Sequence, residues 1–399
     1  MRTDCRVSFV VTSRNDDHGG HMLRRFRIFA EGLLSLANRH RLSGELIIVE
    51  WNPPPGPQLH EVLKLQVRSD IFAVRFIEVP PEAHGQIRNS DVIPLFQMIA
   101  KNVGIRRARG EFVVATNPDL IFSDALISFL ASGELRRDAM YRIDRYDVPF
   151  DVPEDATVDE QLAWCAANVL RVHRKRGSFP VRRRARLRIW RVGVRRLGGE
   201  CFARIRRLDM VGLFQRGVRR LGPGLFARIR RLDVVGRCRR GVRRVCWELL
   251  RLTEPHSQVH TNGCGDFTMI ARDHWFALRG YPELPLWSMH VDSLLCYMAV
   301  ASGLRECVIS PPAKIFHLEH QRSWVVMTPE QRLRTFALKP WVDMGLLGEL
   351  WGYMYSTRRP VEFNTESWGL AEWPLNEVLL LSGEYRSTTS QAELPTTRR

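Results

Sequence analysis

Long hydrophobic runs are missing from this chain: none approaches the ~18 to 20 apolar residues that cross a bilayer, which excludes a spanning helix. Paired cysteines are missing too. The eight present (5, 165, 201, 238, 246, 264, 296 and 307) are scattered, with no C-x-x-C among them, which favours free thiols in a reducing compartment. Met1-Arg-Thr-Asp-Cys-Arg6 passes directly into a strand-like run, without the apolar core of a signal peptide. These absences point to a cytoplasmic protein, with peripheral contact at the inner face of a membrane left open. Acidic charge is scarce in one place only. Residues 171–252 hold 27 Lys and Arg against four acidic residues, a net of +23 within a chain total of +17. The remainder is mildly acidic, at −6, so the overall basicity says little about chemistry elsewhere.

What is there is an ordinary globular composition, 45% hydrophobic over 399 residues, enough for one or two domains. Val7 to Thr12 reads as a strand ending in the polar loop Ser13-Arg14-Asn15-Asp16-Asp17. A helix is expected over 24–38, a strand over 45–50 stopped by Trp51-Asn-Pro-Pro-Pro-Gly56, a helix over 59–67 and a strand over 74–79. This alternation predicts an α/β fold with a mostly parallel central sheet flanked by helices, whose ligands sit beyond the carboxyl ends of the strands. Arg14, Asn15, Glu50 and Asp119 fall at those ends.

Gly110-Glu-Phe-Val-Val-Ala-Thr-Asn117-Pro118-Asp119-Leu-Ile-Phe122 is the stretch on which the functional reading turns. Phe112 to Ala115 suits a strand covered on both faces, and the Asn-Pro-Asp triplet breaks it before a second apolar run. A carboxylate between two apolar runs must be hydrogen-bonded, paired or bound to a cation. A simple turn aspartate after proline is the competing reading. Ala139 to Val148 alternates, placing Arg142, Asp144 and Tyr146 on one face, either to line a pocket or as the salt-bridged outer face of an edge strand. Val158 to Val172 reads as a helix.

The helix before that stretch, Lys101-Asn102-Val-Gly104-Ile-Arg-Arg-Ala108-Arg-Gly110-Glu-Phe112, followed by a strand and an Asn-Pro-Asp triplet, resembles family 2-type glycosyltransferases of the GT-A fold. The opening V-S-F-V-V-T-S-R-N is similar to their first strand. The resemblance implies transfer of a sugar from a nucleotide-sugar donor to a glycan or lipid-linked acceptor, assisted by a divalent cation, Mn²⁺ or Mg²⁺. Asp119, the last residue of the triplet, would hold the ion, here with one carboxylate where many relatives have two or three. Lys101 and Asn117 belong to the same donor side, and Arg14, Asn15 and Glu50 would hold the nucleoside. Gly265-Asp266-Phe267 through Gly280-Tyr-Pro-Glu283 resembles the acceptor-side segment, with Asp266 positioning donor sugar or acceptor. Asp292 matches the family's catalytic base, with Val291 in place of the usual Glu; a helix N-cap aspartate is the competing reading. A late histidine commonly completes the metal site. His317, in the H-x-x-H of His317 and His320, is the candidate, against a structural histidine. Trp275, Trp287 and Trp324 are either sugar-stacking faces or core.

Residues 193–216 and 217–240 form a 24-residue tandem repeat in which Phe202, Ile205 and Leu208 recur as Phe226, Ile229 and Leu232 between arginines. Such a basic amphipathic helix could attach to an anionic membrane surface, bind another polyanion, or stay solvated without a partner. Nucleic acid is disfavoured, since aromatic platforms are sparse and no nucleic-acid motif occurs. The expected boundaries are 1–150 for the nucleotide-sugar half, 151–180 for a linker and helix, and 181–252 for the basic helical insertion. Then come 253–328 for the acceptor and catalytic half, 329–386 for a helical C-terminal region, including a helix over 364–380, and 387–399 for a flexible tail. The alternative from another class is a catalytically reduced GT-A-like protein serving as a membrane- or polyanion-binding module.

Overall fold

Three parallel strands open the chain: β1 (Val7–Ser13), β2 (Gly44–Trp51) and β3 (Phe72–Val79), joined by α1 (Met22–Arg39) and α2 (Leu59–Leu63). After α3 (Pro81–Gly85) and α4 (Gln97–Arg107), β4 (Phe112–Thr116) returns to the other side of β1. Every residue of β1, β2 and β4 is buried, which is why these strands read as near-continuous apolar runs. The computed structural model describes residues 5–17, 19–181, 258–320 and 328–388. The expectations for the basic insertion, its repeat, Trp324 and residues 389–399 lie outside the described residues. Met1–Pro180 with Gln258–Arg399 form one unit, from which Val181–Ser257 separate.

Beyond β4 the chain forms β5 (Leu120–Phe122), α5 (Asp124–Ala131), β6 (Ala139–Ile143), β7 (Arg145–Val148), α6 (Val158–Ala167), β8 (Arg171–Arg174) and β9 (Gly177–Pro180). It resumes with β10 (Phe267–Ala271), α7 (Arg272–Ala277), α8 (Val291–Ala301), β11 (Arg305–Ile309) and β12 (Ile315–Leu318). The C-terminal part holds α9 (Pro329–Leu338), α10 (Met344–Thr357), β13 (Glu377–Leu381) and β14 (Glu384–Thr388). The large sheet runs β11-β6-β10-β4-β1-β2-β3-β13-β14, and a smaller one runs β5-β12-β7-β8-β9.

The large sheet is mixed rather than mostly parallel. β10 enters antiparallel between β4 and β6, and the β13–β14 hairpin extends the β3 edge antiparallel. Several local expectations are corrected. The strand expected over 139–148 is two strands that change sheets at Asp144, so Arg142, Asp144 and Tyr146 do not share a face. Arg142 is buried and donates to His260 O and Thr268 Oγ1, and Tyr146 packs on Phe316. The helix from Val158 ends at Ala167, and 171–174 pairs instead with β7. Helix α2 stops at Leu63, before Lys64 in the left-handed region. No helix spans 364–380. Gly369 has positive φ, Pro374 interrupts, and Glu377 starts a strand clamped to β3 by Arg75 Nε and Nη2 at 2.6 and 2.9 Å. Ser387 and Thr388 belong to β14 rather than to a tail.

The alternation of strand side chains divides the core between two faces. Phe9, Val11, Leu46, Ile48 and Val114 pack with Phe26, Phe29 and Leu33 of α1. Val10, Ile47, Val49, Val113 and Ala115 face α4 and α8, over which Trp351 of α10 stacks on Tyr297 at 4.5 Å between ring centroids. Helix α4 can lie this close because of Gly104: a Cβ there would fall 2.5 Å from Val10 Cγ1 and 3.1 Å from Val49 Cγ2. Gly104→Ala gains helix propensity of up to about 1 kcal/mol but forces α4 off the sheet, an overpacking cost of roughly 1–3 kcal/mol. A lower melting temperature is expected by calorimetry; an unchanged or higher one would show that the helix–sheet contact is slack.

Candidate active site and metal centre

The carboxyl ends of β1 and β4, the turn before β10, and strands β7 and β12 surround a cavity of about 400 Å³, within the usual range for small-ligand sites. Arg14, Asp16, Arg25, Asn117, Asp119, Arg145, Asp266, Trp287, His317, His320 and Lys339 are among its lining residues. Asp119 leaves the β4–β5 turn toward β12, because β5 and β12 pair antiparallel and Leu318 N donates to Asp119 O. His317 Nε2 lies 3.6 Å and His320 Nε2 3.5 Å from Asp119 Oδ2. One ligand atom from each of the three residues lies within 4.8 Å of the others, a spacing that could hold one metal ion.

The donor set fits a divalent cation. Asp119 Oδ1 is buried without a hydrogen-bond partner, and such an atom calls for an explanation. One carboxylate and two imidazoles suit Mn²⁺ or a later transition ion better than Mg²⁺, which prefers oxygen. Burial opposes ionisation of Asp119, but His317 and His320 outweigh it and hold the carboxyl well below its ordinary range. Burial and Arg145 resist charge on His317, yet Asp119 and Asp147 raise it to about 9. Arg25 Nη1 stands 3.4 Å from Asp119 Oδ2. The loop after β1 closes over this corner at Gly19, where φ is +78° and a Cβ would fall 2.7 Å from His320 Nδ1.

A second polar cluster adjoins the first. Asn117 Oδ1 accepts from Lys101 Nζ and Gln97 Nε2, both at 2.9 Å, and Asn117 Nδ2 donates to Asp266 Oδ1 at 2.8 Å. Lys101 Nζ also donates to Gly265 O at 2.7 Å. Arg145 Nη1 reaches Asp266 Oδ2 at 2.7 Å. Lys101 is fully buried, and burial lowers it to about 8 against the pull of Asp266, Asp292 and Asp119.

Of the residues expected from sequence, Arg14, Asn117, Asp119, Asp266 and His317 meet in the cavity. Lys101, Asn15, Glu50 and Asp292 are not among its lining residues. Lys101 pins the two loops from behind. Asn15 Nδ2 donates to Pro57 O. Glu50 Oε2 accepts from Leu59 N at 2.9 Å and so caps α2. Asp292 lies in the first turn of α8, its Oδ1 accepting from Ser293 N and its Oδ2 3.0 Å from where a Cβ on Gly265 would sit. Trp275 is core, donating to Val113 O, whereas Trp287 faces the cavity. Sequence reasoning missed Arg25, Arg145 and the ligand position of His320. Only the H-x-x-H spacing signalled the last.

No protein-family model matches the chain, and no curated protein matches it. Among solved structures it is similar to a crystal structure of GalNAc-T7 with UDP, GalNAc and Mn²⁺, at 11% identity over 91% of this chain and 53% of that one, TM-score 0.40. It is also similar to the galactosyltransferase LgtC in complex with donor and acceptor sugar analogs, at 12% identity over 36% of this chain and 47% of that one, TM-score 0.23. The chain thus spans about half the length of each. At these TM-scores neither likeness carries weight for what this chain does.

Burial raises the Glu50 carboxyl to about 7, against the Leu59 N–H and with help from Glu78 and Glu61. The folded protein therefore binds this proton more tightly than the unfolded chain does, and the associated stability is lost as pH rises from the carboxyl's ordinary range through 7. Glu50→Gln should gain on the parent across that window, by up to roughly 3 kcal/mol, and show a constant offset below it. Melting temperatures at pH 4, 6 and 8 check this; a gap independent of pH would mean that Glu50 is not buried as a neutral acid.

Proposed function

We propose that the chain is a nucleotide-sugar-dependent glycosyltransferase with GT-A architecture, moving a hexosyl or deoxyhexosyl group to a hydroxyl of a glycan or lipid-linked acceptor. The observation that carries this reading is Asp119 set against His317 and His320 in a cavity also lined by Arg14, Arg25 and Lys339. A cation site beside several fixed positive groups suits a diphosphate. When bound, a divalent ion at Asp119, His317 and His320 would neutralise charge developing on the departing nucleoside diphosphate.

The remaining roles belong to the protein's own side chains. Arg14 and Arg25 supply donors to phosphate or ribose oxygens. Asp266, oriented by Arg145 and Asn117, accepts hydrogen bonds from sugar hydroxyls and fixes donor or acceptor in line. Trp287 offers a face for a sugar ring. Asp292, at the start of α8 and outside the cavity lining, is the base in this reading only for an acceptor that enters from the Gly265 side, where it would take the hydroxyl proton in a single displacement that inverts the anomeric carbon.

Nucleoside diphosphates screened by thermal shift should raise the melting temperature for one base, and more so with Mn²⁺. If none does so under either condition, the enzyme reading fails and a catalytically reduced module takes its place. Asp119→Ala should abolish transfer and the Mn²⁺-dependent part of the shift while keeping the fold. Asp292→Asn should abolish transfer and keep the shift, and full turnover by that variant, or a product of retained configuration by NMR, removes Asp292 as base.

A further inference from the structure

Across the imidazole ring of His317 from Asp119 lies a carboxylate that the proposed chemistry does not use. Strands β7 and β12 run parallel with Asp147 in register with His317. Asp147 Oδ1 is 3.3 Å from His317 Nδ1, while His317 Nε2 points to Asp119 Oδ2 at 3.6 Å. Asp147 is only 1% exposed and has three more partners: Arg145 Nε at 2.9 Å, Arg171 Nε at 3.3 Å and His173 Nε2 at 2.7 Å. His173 Nδ1 lies in turn 2.6 Å from Ser178 Oγ.

Arg145 Nε and Arg171 Nε both face the Asp147 carboxylate, and a carboxylate can only accept hydrogen bonds. A cation bound at Nε2 takes the place of the proton there, and the nitrogen left to carry one is Nδ1, which faces Asp147 Oδ1 at 3.3 Å. Ser178, His173 and Asp147 also form a serine–histidine–aspartate line. Ser178 is exposed, however, and is not among the residues lining the cavity, whereas His317 and Arg145 are. The buried end of the line is the one that meets a site.

We propose that Asp147 is a positioning residue of the metal centre: it fixes the ring and tautomer of His317 so that Nε2 faces a divalent cation shared with Asp119 and His320. This rests on the metal reading given under the proposed function. The test is a Mn²⁺ titration of the full chain, without nucleotide, followed by electron paramagnetic resonance. Parent, Asp119→Asn, Asp147→Asn and Asp147→Ala are compared. The Asp147 variants should bind Mn²⁺ about 10- to 100-fold more weakly than the parent. In the Zn²⁺-loaded parent, long-range ¹H–¹⁵N spectra should place the remaining His317 proton on Nδ1. A folded Asp147→Asn protein binding Mn²⁺ within about twofold of the parent would overturn the inference, as would a proton found on Nε2. The spectrum of the unaltered protein decides the matter even where the variants do not fold. A parent that binds no Mn²⁺ defeats the metal reading itself, and the positioning role with it. A parent that binds, with loss in Asp119→Asn and none in the Asp147 variants, defeats the positioning role alone.

Discussion

A single buried ammonium holds the two walls of the cavity together. Lys101, on α4 with no exposure to solvent, donates to Asn117 on one side and to Gly265 O on the other. Taking that charge out of water is costly, and the polar atoms it meets, with Asp266, Asp292 and Asp119 around them, offset the cost. The β4–β5 turn and the turn before β10 come from residues about 150 apart in sequence, as the Asn117 to Asp266 contact shows. Their relative placement sets where Asp119 and Asp266 point. The rest of the site is arranged around that tie.

Charge also organises the corner around Asp119. Asp119 is the one carboxylate of the Asp119, His317 and His320 set, and Arg25 stands beside it. A divalent ion there would leave the corner strongly positive, and an anionic ligand would complete it. On the proposed reading one acid in the triplet would suffice, because two imidazoles supply donor atoms without adding negative charge. Asp147 then gives negative charge from behind, at the far nitrogen of His317, where it orients the ring without blocking a ligand position.

The helix motif around Lys101 resolves into separate physical tasks. Gly104 lets α4 approach the sheet, and a Cβ on Gly110 would fall 2.5 Å from Ser8 N. Asn102 exchanges hydrogen bonds with the backbone of Tyr281 and accepts none from the cavity. From α4, Lys101 and Gln97 reach Asn117 at the site. A pattern recognised as functional is thus mostly a record of how the helix, the sheet and the segment 280–283 fit together. Where the sequence reading failed, the cause was long-range pairing. A continuous alternating run from 139 to 148 carries no mark of the switch between two sheets at Asp144. The apolar stretch before Leu381 became a strand because Arg75 on β3 clamps Glu377, a partner 302 residues away.

The sequence by itself determined the buried parallel strands, the polar loops at their carboxyl ends and the suspicion resting on Asp119, because hydrophobic periodicity and proline act locally. It also marked His317 through its spacing from His320. Tertiary structure alone decided which polar residues meet. Arg25 comes from α1 and Arg145 from β7, and neither lies near Asp119 or His317 in the chain. Glu50 and Asn15, correctly placed at strand ends, turned to cap a helix and brace a loop instead. A strand delivers a residue to the right end of a sheet, but the packing of other elements against it selects the direction of the side chain and the partner it meets.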